Sequence, residues 1–289
     1  MKKTTFLFAA LCLIIAACNK IDTSKEVFEI IVPVEVTPWD PNYAATVIRK
    51  IYVEEFTGHT CTYCPDGAAI LKAIMNDDEN VVTTAIHCTF LSDPVKPPFQ
   101  NNYQTPMGNV ICEDFNINGL PKAMINRKGN GAGGWSFERN KWKTEVANID
   151  KTNPSAGIEL QCTVDEAKQE VTVHAGVTAI KELPNPVQLC LVLQQDSIIS
   201  GQKDGNVTIP EYVHNHVLRA SFNRNYGVKL ALDGMLQEQF KYTATFKIKY
   251  GNSFPYSQLP VLIKHCSVVA YLIDMKTKEI LQVECEHLH

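Results

Sequence analysis

The sequence predicts two units in series: an α/β unit, then an all-β unit of antiparallel, sandwich-like character. Three observations predict this. From residue 47 to about 151, β-branched apolar runs alternate with helical periods in the order strand, helix, strand, helix, strand, helix. From residue 157 onward, apolar residues recur at every second position and few helical periods follow. Between the two regimes lies the turn-rich stretch KTNPSAG, which sets a boundary near Asn153-Pro154. The expected organisation is therefore a leader at 1–17, a tether at 18–46, an α/β unit at 47–153 and a β unit at 154–289.

The chain opens MKKTTFLFAALCLIIAAC. Lys2 and Lys3 form a positive head, and Phe6 to Ile15 is an apolar run too short to span a bilayer as a helix. Ile15-Ala16-Ala17-Cys18 resembles a bacterial lipobox, which predicts cleavage before Cys18 and acylation of that cysteine. Several acyl chains give stable anchoring, since each buried methylene contributes about 0.8 kcal/mol. Asn19 after Cys18 avoids the aspartate associated with inner-membrane retention, so the expected location is the outer membrane, with the lipid on Cys18 as anchor. The tether carries Pro33, Pro38 and Pro41, and within it VFEIIVPVEV reads as a short edge strand.

In the α/β unit, TVIRKIYVEEF reads as a strand ending at Thr57-Gly58. PDGAAILKAIMNDDEN follows as a helix, with Pro65 and Asp66 suited to its first turn. VVTTAIHCTF is a second strand, SDPVKPPFQ a proline-rich loop and NNYQTPMGNVICEDF a second helix. NINGLPKAMINRKGN supplies a turn, a strand and another turn. SFERNKWKTEVANIDK reads as a third helix with Ser136 as its N-cap. In the β unit, GIELQCTV, QEVTVHAGVTAI, PVQLCLVLQQDSI and QFKYTATFKIKY are strands, and residues 266–287 form a hairpin turning at Lys276 to Lys278. Residues 200–230 form a long insertion.

Composition narrows the function. The formal charge is −4, and loss of Lys2 and Lys3 with residues 1–17 takes it to −6. With no basic cluster, this excludes a nucleic-acid surface. Ten cysteines are present. Cys12 leaves with the leader and Cys18 takes lipid, so eight remain, an even number that permits pairing in an oxidising compartment. Cys88 and Cys112 are a candidate second bridge within the first unit. Cys162, Cys190, Cys266 and Cys285 fall on strands of the second unit, where structural bridging is expected. The sequence leaves the oligomeric state open.

The motif that carries chemistry is Cys61-x-x-Cys64, in EEFTGHTCTYCPDG at a strand-to-helix junction. Helix N-terminal amides favour a thiolate at Cys61, the nucleophile of thiol–disulfide exchange, and Cys64 lies one turn on, where it can resolve a mixed disulfide. His59 adds positive charge when protonated. A permanent bridge remains the alternative. A metal site would need further ligands, for which His59, His87 and Cys88 are at hand, but structural zinc sites normally show two clean ligand pairs, so no metal is expected. Covalent haem attachment needs a histidine where Pro65 stands, and no cofactor is expected. His214-x-His216 and Arg219 read as a structural network rather than a metal or anion site. Gly119-Leu120-Pro121 opens the strand KAMIN and suits a cis peptide bond.

These features resemble the thioredoxin-like family over residues 47 to about 151. The resemblance implies that the Pro121 loop faces the cysteines and leaves a backbone edge for a substrate chain. It also implies that Glu55, six residues before Cys61 and followed by Phe56, is a buried acid able to take a proton from Cys64. Strand alternation puts Ile51, Val53 and Glu55 on one face and Glu54 on the other. Thr60 stands where that family usually has tryptophan, Thr62-Tyr63 replaces Gly-Pro, and GNGAGGW lacks the apolar run of the next strand. Over most of the chain, EEFTGHTCTYCP, GLPKAMINR, YVHNHVLRASF and the lipobox resemble the outer membrane protein 28-related lipoproteins. The expectation is an outer-membrane-anchored thiol–disulfide oxidoreductase or isomerase acting on envelope protein or peptide thiols and disulfides. The alternative is a non-catalytic binding or adhesion lipoprotein with a structural Cys61–Cys64 bridge.

Overall fold

The computed structural model describes residues 28–289 apart from 39, 45, 224 and 225. The leader at 1–17, the lipid site Cys18 and the first part of the tether lie outside the described residues. In chain order the elements are β1 (Phe28–Pro38), α1 (Pro41–Ala44), β2 (Ile51–Thr57), α2 (Cys64–Asp77), β3 (Val81–His87), α3 (Pro106–Asp114), β4 (Lys122–Ile125), β5 (Phe137–Glu138) and α4 (Trp142–Ala147). Then follow β6 (Ala156–Asp165), β7 (Glu170–Ala179), β8 (Val187–Gln195), β9 (Ile198–Asp204), β10 (Val207–His214), β11 (Val217–Ser221), β12 (Phe240–Lys249), β13 (Cys266–Asp274) and β14 (Ile280–His287).

Three sheets organise these strands. The largest has eight strands in the order β14-β13-β8-β11-β3-β2-β4-β5. Only β2–β3 and β3–β11 are parallel within it. A four-stranded antiparallel sheet runs β1-β12-β7-β6, and β9 with β10 makes a separate hairpin. Strands from both sides of Asn153-Pro154 thus share one sheet. The joint is β11, which pairs antiparallel with β8 and meets β3 at Val217 and Ala85.

Side-chain alternation decides what covers each face. On one face, Tyr52, Phe56, Val82 and Ile86 continue into Cys190, Val192, Val269 and Tyr271, and α3 supplies Met107 and Ile111. A buried ion pair lies here. Arg127 Nε and Nη2 donate to Glu54 at 2.7 and 2.6 Å, with the guanidinium between the rings of Phe115 and Tyr271. The opposite face has two covers. Over β2 and β4, Ile51, Val53, Ala123 and Ile125 pack on Leu71 and Ile74 of α2 and Trp142 and Val146 of α4. Over β8 and β13, Leu189, Leu191, Val268 and Ala270 pack on Val173, Val177, Ala244 and Phe246 of the four-stranded sheet. The second half is therefore a sandwich in which one sheet continues into the α/β half.

The edge strand expected in the tether is present, since β1 pairs with β12 and edges the four-stranded sheet. Other expectations need correction. Ser136 does not cap a helix: Phe137–Glu138 pairs with Lys122 and Ala123 instead, and α4 begins only at Trp142, with no side-chain cap. Residues 200–230 are not a plain insertion but contribute most of β9, all of β10 and the central strand β11. Cys162, Cys190, Cys266 and Cys285 carry no bridge. Cys190 and Cys266 face opposite sides of the large sheet, in separate apolar cores, so they cannot meet.

Candidate functional site

Strand β2 delivers Glu55 and then the loop 58–63, and α2 begins at Cys64 itself, with Pro65 in its first turn. Cys61 and Cys64 are bonded to each other. The Leu120-Pro121 bond is cis. A Cβ placed on Gly67 in the first turns of α2 would lie 3.1 Å from Glu55 Oε1 and 3.2 Å from Pro121 Cβ. The missing side chain is what lets the acid and the proline approach the same helix face as Cys64. Four residues singled out from sequence, Glu55, Cys61, Cys64 and Pro121, are thus gathered around the start of α2.

The cysteines are sealed, at 3% and 2% exposure. Two segments cover them. The first is the chain after β3: Leu91 C=O accepts the backbone and side-chain bonds of Thr60 at 3.1 and 2.8 Å, and Asp93 C=O meets His59 Nε2 at 3.0 Å. The second is the hairpin β9–β10. Lys203 N–H donates to His59 C=O and Gly205 N–H to Thr62 C=O, at 2.9 and 2.8 Å. The Gln202 side chain donates to Gly58 C=O and Cys61 C=O at 3.3 and 3.0 Å. The two covers hold each other through Asn101 Nδ2 and Ser200 Oγ at 2.8 Å. Gln202 and the hairpin carried no local sequence signal, because their role depends on a fold-back across some 140 residues.

Between α2 and the hairpin a cleft of ≈ 760 Å³ opens over β3. Its floor is Glu55, Thr57, Thr83, Ala85 and His87, its walls include Cys64, Met75, Tyr212 and His214, and Asp196 and His216 stand at its rim. Three of the residues that line it bury polar atoms without partners: Glu55 Oε1, both ring nitrogens of His87 and Nε2 of His214. Burial pushes the Glu55 carboxyl up to about 8. Burial likewise pulls His214 down to about 4 and His87 well below its ordinary range. His87 stacks on Tyr103 at 4.4 Å between centroids. His59 is also held neutral by burial, which corrects the expectation of a positive charge beside Cys61.

His214 and His216 do not act as a pair. His214 ends β10 and is buried, whereas His216 sits beyond the strand at φ 55° with Nδ1 3.1 Å from Asp196. Arg219 is satisfied by neutral groups, Gln195 Oε1 and the carbonyls of Leu259 and Pro260. Among the described residues no group of three or more His, Cys, Asp or Glu side chains is arranged to hold a metal ion. Cys88 and Cys112 are neighbours with sulfurs 2.7 Å apart, and neither is bridged.

The family model described as outer membrane protein Omp28 matches residues 109–288. The matched stretch spans most of both sheets and leaves Cys61–Cys64 outside it. Among solved structures, HBP35 of Porphyromonas gingivalis is similar in fold, with TM-score 0.62, 18% identity, and coverage of 84% of this chain and 76% of that one. A domain of the outer membrane lipoprotein Omp28 from Porphyromonas gingivalis matches 47% of this chain and 89% of its own, at 18% identity and TM-score 0.31. Comparison with curated proteins finds no match.

Proposed function

The chain belongs to the outer membrane protein Omp28 family, and from that premise we propose that it is a lipid-anchored thiol–disulfide exchange protein of the cell envelope. The family places it at the outer membrane. Among the described residues no helix is long and apolar enough to cross a membrane, and the proposed anchor is the lipid on Cys18. The active unit is a thioredoxin-like framework at 47–153. That reading is supported by the strand order β3-β2-β4-β5, with α2 and α3 on opposite faces. The β unit at 154–289 orients the site and meets the partner.

The observation that carries the proposal is Glu55. A purely structural bridge has no use for a buried carboxyl with an unpartnered oxygen, which costs stability. A carboxyl raised to about 8 matches a thiol near 8.5, so proton transfer between them is close to balanced. In the reduced protein, Cys61 thiolate attacks a substrate disulfide and expels one substrate thiolate. Glu55 then takes the Cys64 proton. Cys64 attacks the Cys61 sulfur, releases the second substrate thiolate and leaves the Cys61–Cys64 disulfide. Pro121 positions the substrate chain. Because Cys61 is buried beneath the chain after β3 and the hairpin β9–β10, one of these covers must move aside first.

That same burial favours a second reading, a binding module in which the bridge only holds the loop 58–63. The reduction potential of Cys61–Cys64 decides between them, with Cys61→Ser as control. A value within about −270 to −120 mV, with a mixed disulfide trapped by Cys64→Ser, supports exchange. A value below about −300 mV supports the module and ends the enzymatic reading.

A further inference from the structure

Cys88 and Cys112 occupy the two ends of the segment that seals the Cys61–Cys64 loop. Cys88 follows β3 directly, is fully buried, and donates its N–H to Thr57 C=O at 3.2 Å. Cys112 lies in α3 and lines a surface pocket with Thr89, Gln104, Asn109 and Glu113. Their sulfurs are 2.7 Å apart, far closer than two non-bonded sulfurs rest and short of the bonded distance of about 2.05 Å by a small movement. Cys88 is fully buried whereas Cys112 lines the surface pocket, so Cys112 is the one of the pair that a soluble oxidant reaches first.

What lies between them gives the pair a role. Residues 89–105 hold Thr60 through Leu91 and His59 through Asp93. Ser92 Oγ lies 3.0 Å from Thr57 C=O and 2.8 Å from Cys88 C=O, both acceptors for its single hydroxyl proton. Gly58 must lack a side chain here, since a Cβ would stand 2.7 Å from Leu91 O. The same segment carries Tyr103 onto His87, and Asn101 and Pro98 onto the hairpin at Ser200 and Gly201. A covalent link at its two ends would close this cover into a ring.

We propose that Cys88 and Cys112 are a second cystine of the oxidised protein, and that it clasps the cover over Cys61–Cys64. The oxidant is a disulfide of the envelope. Cys112 thiolate attacks one sulfur of that disulfide and expels a thiolate. Cys88, on losing its proton, attacks the Cys112 sulfur in the mixed disulfide and expels the second thiolate. The two protons lost by the cysteines end on the two released thiols, so two electrons pass from the pair to the oxidant. The proposal goes beyond the exchange activity and stands whether Cys61–Cys64 is catalytic or structural.

The test is disulfide mapping by mass spectrometry of the full chain, purified without reductant, incubated with oxidised glutathione, then alkylated before digestion. A Cys88–Cys112 peptide pair beside Cys61–Cys64, with Cys162, Cys190, Cys266 and Cys285 alkylated, is expected. Alkylated Cys88 and Cys112 after that incubation overturn the cystine. The clasp is read from the rate at which a phosphine reductant opens Cys61–Cys64. That rate should rise about tenfold in Cys112→Ser relative to the oxidised parent, and an unchanged rate overturns the clasp. Mapping needs no variant, so a Cys112→Ser chain that fails to fold leaves the cystine open to refutation. For the clasp, the parent with only Cys88–Cys112 pre-reduced serves the same comparison.

Discussion

Two regions on one face of the eight-stranded sheet differ in what they bury. The sandwich over β8 and β13 is filled by aliphatic and aromatic side chains such as Leu191, Val268, Val177 and Phe246. The cleft over β3 buries Glu55, His87 and His214, each with a polar atom lacking a partner. Apolar burial stabilises and needs no further reason. Unpartnered polar burial costs free energy and persists where something other than stability is served. The contrast teaches where to look for chemistry: the α/β side holds the strained inventory, and the sandwich holds it in place.

Four perturbations break or sharpen this contrast. The largest effect is expected in the sandwich. Phe246→Ala, at a fully buried position, should cost about 3–5 kcal/mol in urea unfolding. A loss no larger than that of an exposed substitution would mean the sandwich is not the stabilising element.

The next is Glu55→Gln. Between its ordinary value of 4.5 and about 8, the folded chain keeps a proton that the unfolded chain has released. Stability therefore falls as pH climbs through that window. Removing the carboxyl should flatten the slope and leave the variant more stable than the parent at pH 8, by on the order of 4 kcal/mol. Parallel pH–stability curves for parent and variant would show that Glu55 is paired after all.

His214 slopes the other way. Its folded value is about 4 against 6.5, so the unfolded chain takes up the proton first and stability is lost as pH falls from 6.5 toward 4. His214→Gln should reduce that acid loss by about 2 kcal/mol, read from thermal unfolding at pH 7 and pH 4.5. The smallest change in stability is expected at the hairpin. A Cβ on Gly201 would stand 2.6 Å from Pro98 O, so Gly201→Ala should cost about 1 kcal/mol. It should nonetheless speed reductant opening of Cys61–Cys64 severalfold. An unchanged rate would detach the hairpin from the protection of the cysteines.

Much of this was legible in the sequence, for local reasons. Period-two runs marked β6, β7, β8, β12 and the final hairpin, and a strand-to-helix break marked Cys61-x-x-Cys64. Alternation along β2 separated Glu55, which turns to α2, from Glu54, which turns to Arg127. What was not legible depends on distant pairing. Val217–Ser221 is too short to announce that it joins two halves into one sheet. His59 reads as a cation until its burial is known. Whether Cys61 is exposed or buried stays open in the sequence, because its cover is β9 folding back from some 140 residues away. Ser136 looked like a cap because Phe137–Glu138 had no visible strand partner, and that partner is only Lys122 and Ala123.

The placement of β11 also has a temporal meaning. β3 emerges from synthesis long before the strand that closes its edge, and β1 waits still longer for β12. Until residues 217–221 arrive, the β2-β3-β4 fragment offers a bare strand edge open to pairing with other chains. Such long-range closure slows folding. A protein bound for the outer membrane has to cross the inner one first, so a chain that cannot finish its sheet early remains threadable for longer. The late strand thus leaves one edge of β3 unpaired until the last quarter of the chain is being made.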